Sequence, residues 1–393
     1  MNNKTANNPC PCLSGLQFSN CCAAKDRIEP DVFASISAAT SAENDNLTPE
    51  LQAALDKTHT NPDLFPARIN FFKDKVRLVK MSPRWYRESV FLDPVRILGR
   101  CVIESDLQWL QEVSEKIHWQ PLSIIFHSAF CGSTLMSKAL HSVFNCLPLR
   151  EPEALSNLQV YLNSQKATPQ QKALWLDSVM RILSRRYDEQ QAVVVKANDN
   201  ANPMMMKLLE WQHEIPILFM YTPLNEFVAG CLKADNRREW IRNRYKLISN
   251  IAGRVLHIPS ELSIDDESYG EMAAVYWSYN IALYQEAWRQ FPHRLRSLDF
   301  NVMLARPLES IEACGQFFGL EALPNIDPNE AISGHFGIYS KNSAFTYSPQ
   351  QRNNDIEKLL SVHHADMALA EILARELLHT DYPEDHLPGK LID

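Results

Sequence analysis

The residues with the most chemical content are Phe130, Cys131, Gly132, Ser133, Thr134 and Leu135. They lie between a short apolar run (Leu122, Ile124, Ile125, Phe126) and a stretch where apolar residues return at helical spacing (Leu135, Ala139, Leu140, Val143). A strand, a tight loop and a helix in that order build an anion site. The first N–H groups of a helix have no internal acceptor, and the helix dipole favours negative charge beside them. Gly132 permits close backbone approach, and the hydroxyls of Ser133 and Thr134 add donors. The pattern predicts a phosphate or sulfate group held at residues 130–135. A nucleoside triphosphatase loop would read GxxxxGK[ST]; no lysine adjoins Gly132, which argues against ordinary ATP hydrolysis. His127 and Cys131 suggest a nucleophilic pair, but no third residue to orient them is evident.

A second reactive set is Cys10, Cys12, Cys21 and Cys22, within the stretch CPCLSGLQFSNCC. Four thiolates this close complete a tetrahedral Zn²⁺ shell, and Ser14-Gly15 lets the chain turn between the two pairs. Disulfides are the alternative. Adjacent Cys21 and Cys22 are poor partners for each other, and disulfides are rare in a reducing compartment. The C-x-C-x8-C-C spacing resembles the SEC-C zinc motif, with Phe18 at its aromatic position. Leu13 replaces the glycine of that motif, and its lysines around positions 16–19 are missing. The resemblance implies a zinc knuckle over residues 1–26 that contacts another protein. So small a unit couples folding to metal binding, and a closed four-thiolate shell leaves no position for catalysis.

The elements that must position the loop belong to a long chain. Its 393 residues suggest two or three units, and 45% hydrophobic residues can supply a core. A net charge of −8 argues against general nucleic-acid binding. No apolar run approaches the roughly 20 residues of a membrane span. The N-terminus MNNKTANNP has neither part of a signal peptide, so a cytoplasmic location is expected. Cys101, Cys131, Cys146, Cys231 and Cys314 are then expected to be thiols in apolar surroundings. Residues 27–64 read as a linker with short helices at Asp31–Ala39 and Pro49–Lys57.

Residues 65–393 read as one α/β domain. Val76, Leu78 and Val79, then Val90, Phe91 and Leu92, suggest strands. Ser105 and Gln108 fit a capping box for a helix over Ser105–Ser114. Strands are predicted at Cys146–Leu149, Ala192–Lys196, Ile217–Tyr221 and Arg294–Phe300. Helices are predicted at Gln170–Tyr187, Pro203–His213 and Asp266–Phe291, and from Pro307 to Gly319. The tail Asn325–Tyr347, which holds Lys341, shows no periodicity, and one last helix is expected over Asn354–His379. Strands alternating with helices predict a parallel sheet with ligands at its carboxyl edge. That expectation gathers residues 127–134, Arg150, Glu151, Lys196 and Thr222 around one crevice.

The order of these pieces resembles a sulfotransferase of the bacterial and tyrosylprotein type. The loop Phe130-Cys131-Gly132-Ser133-Thr134-Leu135 matches x-S-G-T-T-L, and LREPEAL, VVKAN and LDFNVMLARPLESIEACGQFFGLE follow in the family's order. The resemblance covers roughly Leu122 to Leu323. It implies a P-loop-type three-layer fold and a sulfuryl donor, 3′-phosphoadenosine 5′-phosphosulfate, with its 5′-phosphosulfate in the loop. It further implies Glu151 as general base and Lys196 as the cation beside the transferring group. The acceptor, a hydroxyl or an amine, is not legible. Two departures from the pattern concern the donor's 3′-phosphate. Tyr221-Thr222-Pro223 stands where the family has R-x-P, and Ala229 and Gly230 stand where it has a serine. Phe130 replaces the loop's usual basic residue. The run Arg237, Arg238, Arg242, Arg244 offers charge nearby, and Arg238 and Arg242 share a helix face that could reach a phosphate or merely face solvent. The alternative is a catalytically impaired fold of this type, kept as a nucleotide- or protein-binding module and docked by the knuckle.

Overall fold

A computed structural model describes residues 55, 57–92, 102–260, 262–336, 349–383 and 386–392. They form two compact units, each made of two stretches of chain. The first takes the described residues up to Leu122 together with Asn145–Asn200; the second takes Ser123–Phe144 and the residues from Ala201 onward. The knuckle, and residues 27–54 and 56 of the linker, lie outside the described residues.

The first unit opens with an antiparallel meander. β1 (Leu64–Asn70) pairs with β2 (Lys75–Lys80), and β2 with β3 (Val102–Ser105). Val76 and Leu78 face inward while Lys75 and Arg77 face solvent, the period of two that a half-buried strand requires. α1 (Pro83–Glu88) lies between β2 and β3, with Ser82 as its N-cap and Pro83 at its first position. Val90, Phe91 and Leu92 form no strand. α2 (Leu107–Glu115) follows β3, but its cap is Asp106, whose carboxylate accepts from Trp109 N at 2.8 Å. Ser105 cannot serve, because it pairs with Val76 in the β ladder.

β4 (Leu122–His127) and α3 (Ser133–Val143) belong to the second unit apart from Leu122. The chain then returns to the first unit through β5 (Cys146–Arg150), α4 (Glu153–Asn163), α5 (Pro169–Leu183) and β6 (Ala192–Lys196). α5 starts on a full capping box, Thr168 with Gln171, and Pro169 at its first position. β5 and β6 are parallel, with Arg150 opposite Lys196.

The second unit resumes with a 3₁₀ turn at Asp199–Met204. Pro203 sits inside that turn, so α6 (Met205–Trp211) starts later than the proline suggests. β7 (Ile217–Tyr221), α7 (Leu224–Leu232), α8 (Asp235–Ile248), α9 (Tyr269–Gln290) and β8 (Leu295–Asp299) follow. β7 lies between β4 and β8, parallel to both. Every residue of β4 and β7 is buried, which is why both read as nearly unbroken apolar runs. α10 (Phe300–Ala305) and α11 (Pro307–Phe317) come next, and Gly319 at φ 63° ends the turn after α11. α12 (Pro328–Phe336) buries only Ile332, so it carries no apolar stripe to reveal it in sequence. The expected last helix is two, α13 (Pro349–Val362) and α14 (His364–Leu378), parted at His363. Lys341 lies outside the described residues.

The fold is α/β, with five parallel strands among the described residues, two in the first unit and three in the second. No described helix is long and apolar enough to cross a membrane. Cys146 and Cys231 form no disulfide, and burial pushes the Cys146 thiol up to about 12, where it is inert.

The first unit is tied together by buried guanidinium groups. Arg185 donates to the carbonyls of Thr58 (2.6 Å), Asn61 (3.0 Å), Leu64 (2.7 Å) and Ile182 (2.8 Å). Burial lowers its pKa to about 10, so it stays charged at neutral pH. We predict that Arg185→Met, which orphans these carbonyls, lowers unfolding free energy by about 3 kcal/mol. Urea denaturation would read the loss; an unchanged midpoint would show that the staple contributes nothing.

Candidate functional site

The loop after β4 has a backbone that few side chains tolerate. Ala129 (φ 71°), Phe130 (φ 53°) and Gly132 (φ 72°) all sit in the left-handed region. Each non-glycine residue there costs of order 1 kcal/mol, a strain that persists only where surrounding structure enforces it. The enforcement is visible. His127 Nδ1 accepts from Ala129 N at 3.0 Å, Ser128 N donates to the Met220 carbonyl at 2.9 Å, and Asn202 Nδ2 donates to the His127 carbonyl at 2.9 Å. Asn202 also donates to Asn280 Oδ1 at 2.5 Å, so α9 props the loop from behind. With Nδ1 bound to the loop's own backbone, His127 helps to build the turn.

Gly132 is the N-cap of α3 and brings no side chain to cap it. The first N–H groups of the helix therefore keep their need for an acceptor. Ser133 and Thr134 are 5% and 3% exposed, and neither hydroxyl has a hydrogen-bond partner among the described residues. Both residues belong to the first turn of α3, next to its uncapped N–H groups. Cys131 is wholly buried and Leu135 nearly so. Gly132 also has a steric reason. A Cβ there would come within 2.3 Å of the Phe300 ring and 2.9 Å of Met303. The start of α3 thus offers uncapped N–H groups and two hydroxyls in one turn, the donor types an oxyanion needs.

In the first unit, Glu151 and Lys196 meet as expected. The Lys196 ammonium contacts Glu151 Oε1, and Asn198 Nδ2 donates to Glu151 Oε2 at 3.0 Å. The Lys196 side chain is 1% exposed and that of Glu151 17%, so the carboxylate is the member that reaches solvent. Glu151 N donates to the Lys196 carbonyl at 2.6 Å, and Lys196 Nζ lies 5.4 Å from the centre of the Phe91 ring. Glu151 is also at φ 52°. Arg150, opposite Lys196 in the register, is engaged elsewhere. Wholly buried, it donates through Nη1 to the carbonyls of Tyr86, Arg87 and Ser89, and so fastens α1 to β5.

The remaining predicted positions have other engagements. Arg242 donates to the Asp266 carbonyl at 3.1 and 2.9 Å, to Glu239 at 2.9 Å and to the Tyr269 hydroxyl. Arg238 pairs with Asp235 at 3.4 Å. Thr222 Oγ1 donates to Glu226 at 3.2 Å, and Glu226 is bound by Arg352 and Asn301. Tyr221 OH accepts from Leu387 N at 3.1 Å. Cys10, Cys12, Cys21 and Cys22 lie outside the described residues. Asn198, Asn202 and Phe300 act in the sites without announcing themselves. Asn198 ends the VVKAN segment, but amide and aromatic partners chosen by tertiary packing leave no spacing signal.

Residues 7–24 match the family model of the SEC-C motif. No curated protein matches the chain. Among solved structures, a sulfotransferase from Alicyclobacillus acidocaldarius is 14% identical, with 68% of this chain and 100% of that one covered and a TM-score of 0.34. The sulfotransferase domain of the Synechococcus PCC 7002 olefin synthase is also 14% identical, with 65% and 94% covered and a TM-score of 0.34. A sulfotransferase from Mycobacterium avium is 11% identical, with 84% and 95% covered and a TM-score of 0.37. Identities this low assign no activity.

We predict that Gly132→Ala destabilises the chain by about 3 kcal/mol, from left-handed strain plus the clash with Phe300. Adding Phe300→Ala should relieve the clash but not the strain. Thermal denaturation of the single and double variants separates the two, and a Gly132→Ala chain as stable as wild type would contradict both.

Proposed function

We propose that the chain is a sulfotransferase-like enzyme that moves a sulfuryl group from 3′-phosphoadenosine 5′-phosphosulfate to a hydroxyl or amine acceptor. The observation that carries this reading is the Glu151–Lys196–Asn198 group, a strained, solvent-reaching carboxylate held by a buried ammonium and an amide. Transfer needs a cradle for the leaving phosphate, a cation and a base. The start of α3, with Ser133 and Thr134, has the chemistry of the cradle.

The acceptor heteroatom attacks sulfur and forms the new bond. The bridging S–O bond breaks, and its electron pair leaves with adenosine 3′,5′-bisphosphate. Glu151 takes the acceptor's proton. Protonating Glu151 weakens its hold on Lys196, so the ammonium becomes available as negative charge builds on the leaving group. Cys10, Cys12, Cys21 and Cys22 bind one structural Zn²⁺ within the SEC-C match, and this knuckle docks a protein partner in the cytoplasm. A second reading is favoured by the engaged Thr222 and Tyr221 and by Ala229 and Gly230, which supply no cation. In it the fold binds nucleotide or protein without turnover.

Calorimetry with adenosine 3′,5′-bisphosphate tests the donor. We expect micromolar binding, weakened about tenfold or more by Ser133→Ala with Thr134→Ala. Glu151→Gln should leave binding within about twofold yet cut bisphosphate release, with phenol and amine acceptors, by about 100-fold. Binding with no release from the wild-type chain would favour the binding module, and no binding by a folded chain would sink the donor. For the knuckle, one zinc per chain is expected, lost in Cys10→Ser; zinc retained by that variant would refute the ligand set.

A further inference from the structure

The loop has no basic residue of its own, yet a cation is laid against it. The Arg237 guanidinium, from the first turn of α8, lies 4.5 Å from the centre of the Phe130 ring. That ring also packs on Trp240, at 4.8 Å between centroids, and on Phe227, at 5.8 Å. Gly230 lies next to both groups, at a distance where even a Cβ would make only ordinary contacts. A Cβ there would come to 3.4 Å from Phe130 and 3.7 Å from Arg237 Nη1. Arg237 Nη1 donates to the Gly230 carbonyl at 3.1 Å, so the fork is fixed by a single bond and one ring face.

Charge separates Arg237 from its neighbours. Arg238 pairs with Asp235, and Arg242 pairs with Glu239. Arg237 has no carboxylate partner among the described residues, and the rest of its five donors remain unspent. A half-buried, preorganised guanidinium without a counter-charge suits an oxyanion. It adjoins the same loop at which the hydroxyls of Ser133 and Thr134 have no partner among the described residues.

We propose that Arg237 is the cation of the 130–135 loop. It binds a phosphate or sulfate oxygen from α8, in place of a basic side chain at position 130. Phe130 serves as the platform that holds the guanidinium there. This assignment rests on the donor reading of the loop, and it makes Arg237, rather than Arg238 or Arg242, the ligand-touching member of the basic run.

The test titrates inorganic pyrophosphate and adenosine 3′,5′-bisphosphate into the wild-type chain, Arg237→Gln and Lys246→Gln, which makes the same charge change on α8. Arg237→Gln should weaken both ligands about tenfold or more, and Lys246→Gln less than about twofold. Phenylglyoxal modification of the wild-type chain, mapped by mass spectrometry, should show Arg237 protected by bound pyrophosphate. That measurement decides the matter if Arg237→Gln does not fold. A wild-type chain that binds neither ligand overturns the donor reading and this assignment together. Binding unaffected by Arg237→Gln, or an Arg237 equally modified with ligand bound, overturns this assignment alone.

Discussion

A helix that begins with no side chain to cap it is the constraint on which the second unit turns. The N-terminal N–H groups of α3 need an acceptor, and Gly132 supplies none. A serine, threonine or aspartate at the N-cap would be one solution. Here any side chain at that position would collide with Phe300 and Met303. The loop before it is forced through two left-handed non-glycine residues, and His127, Asn202 and Asn280 hold it there with buried hydrogen bonds. Fully buried β4 and β7 provide the rigid base that such a strained turn needs.

The first unit shows the complementary problem, two cations buried side by side. Arg150 and Lys196 face each other in the β5–β6 register. They are satisfied differently because their shapes differ. The guanidinium spreads its donors over three carbonyls around α1. The ammonium is a compact charge, and burial without a carboxylate would cost several kcal/mol. Glu151 supplies that carboxylate while its own N–H donates to the Lys196 carbonyl. Meeting both demands with one residue takes the chain out of extended backbone, and the positive φ of Glu151 follows.

The elements most legible in sequence were those whose burial is uniform or periodic. β6 and β7 run over the predicted residues, and α9 and β8 agree to within a few. The misses have local causes. Ser105 was taken by a strand, Pro203 by a 3₁₀ turn, and α12 buries too little to show a stripe. His363 interrupts what reads as one continuous helical stretch, because α13 and α14 are both amphipathic enough to run together in sequence.

Sequence by itself determined the order of strand, loop and helix, the glycine at the turn, the four clustered cysteines, and the pairing of a glutamate with a lysine at neighbouring strand ends. Those features are local, or they follow from strand register, and spacing records them. Only the tertiary structure decided which arginine stands at the loop. Helical spacing makes Arg238 and Arg242 equivalent neighbours, but packing gives each a carboxylate and leaves Arg237 stacked on Phe130 without one. It also turned Arg150 inward as a staple and put Asn198 on the Glu151 carboxylate. Partners brought together across many residues depend on where side chains end in space, and one-dimensional spacing carries no term for that.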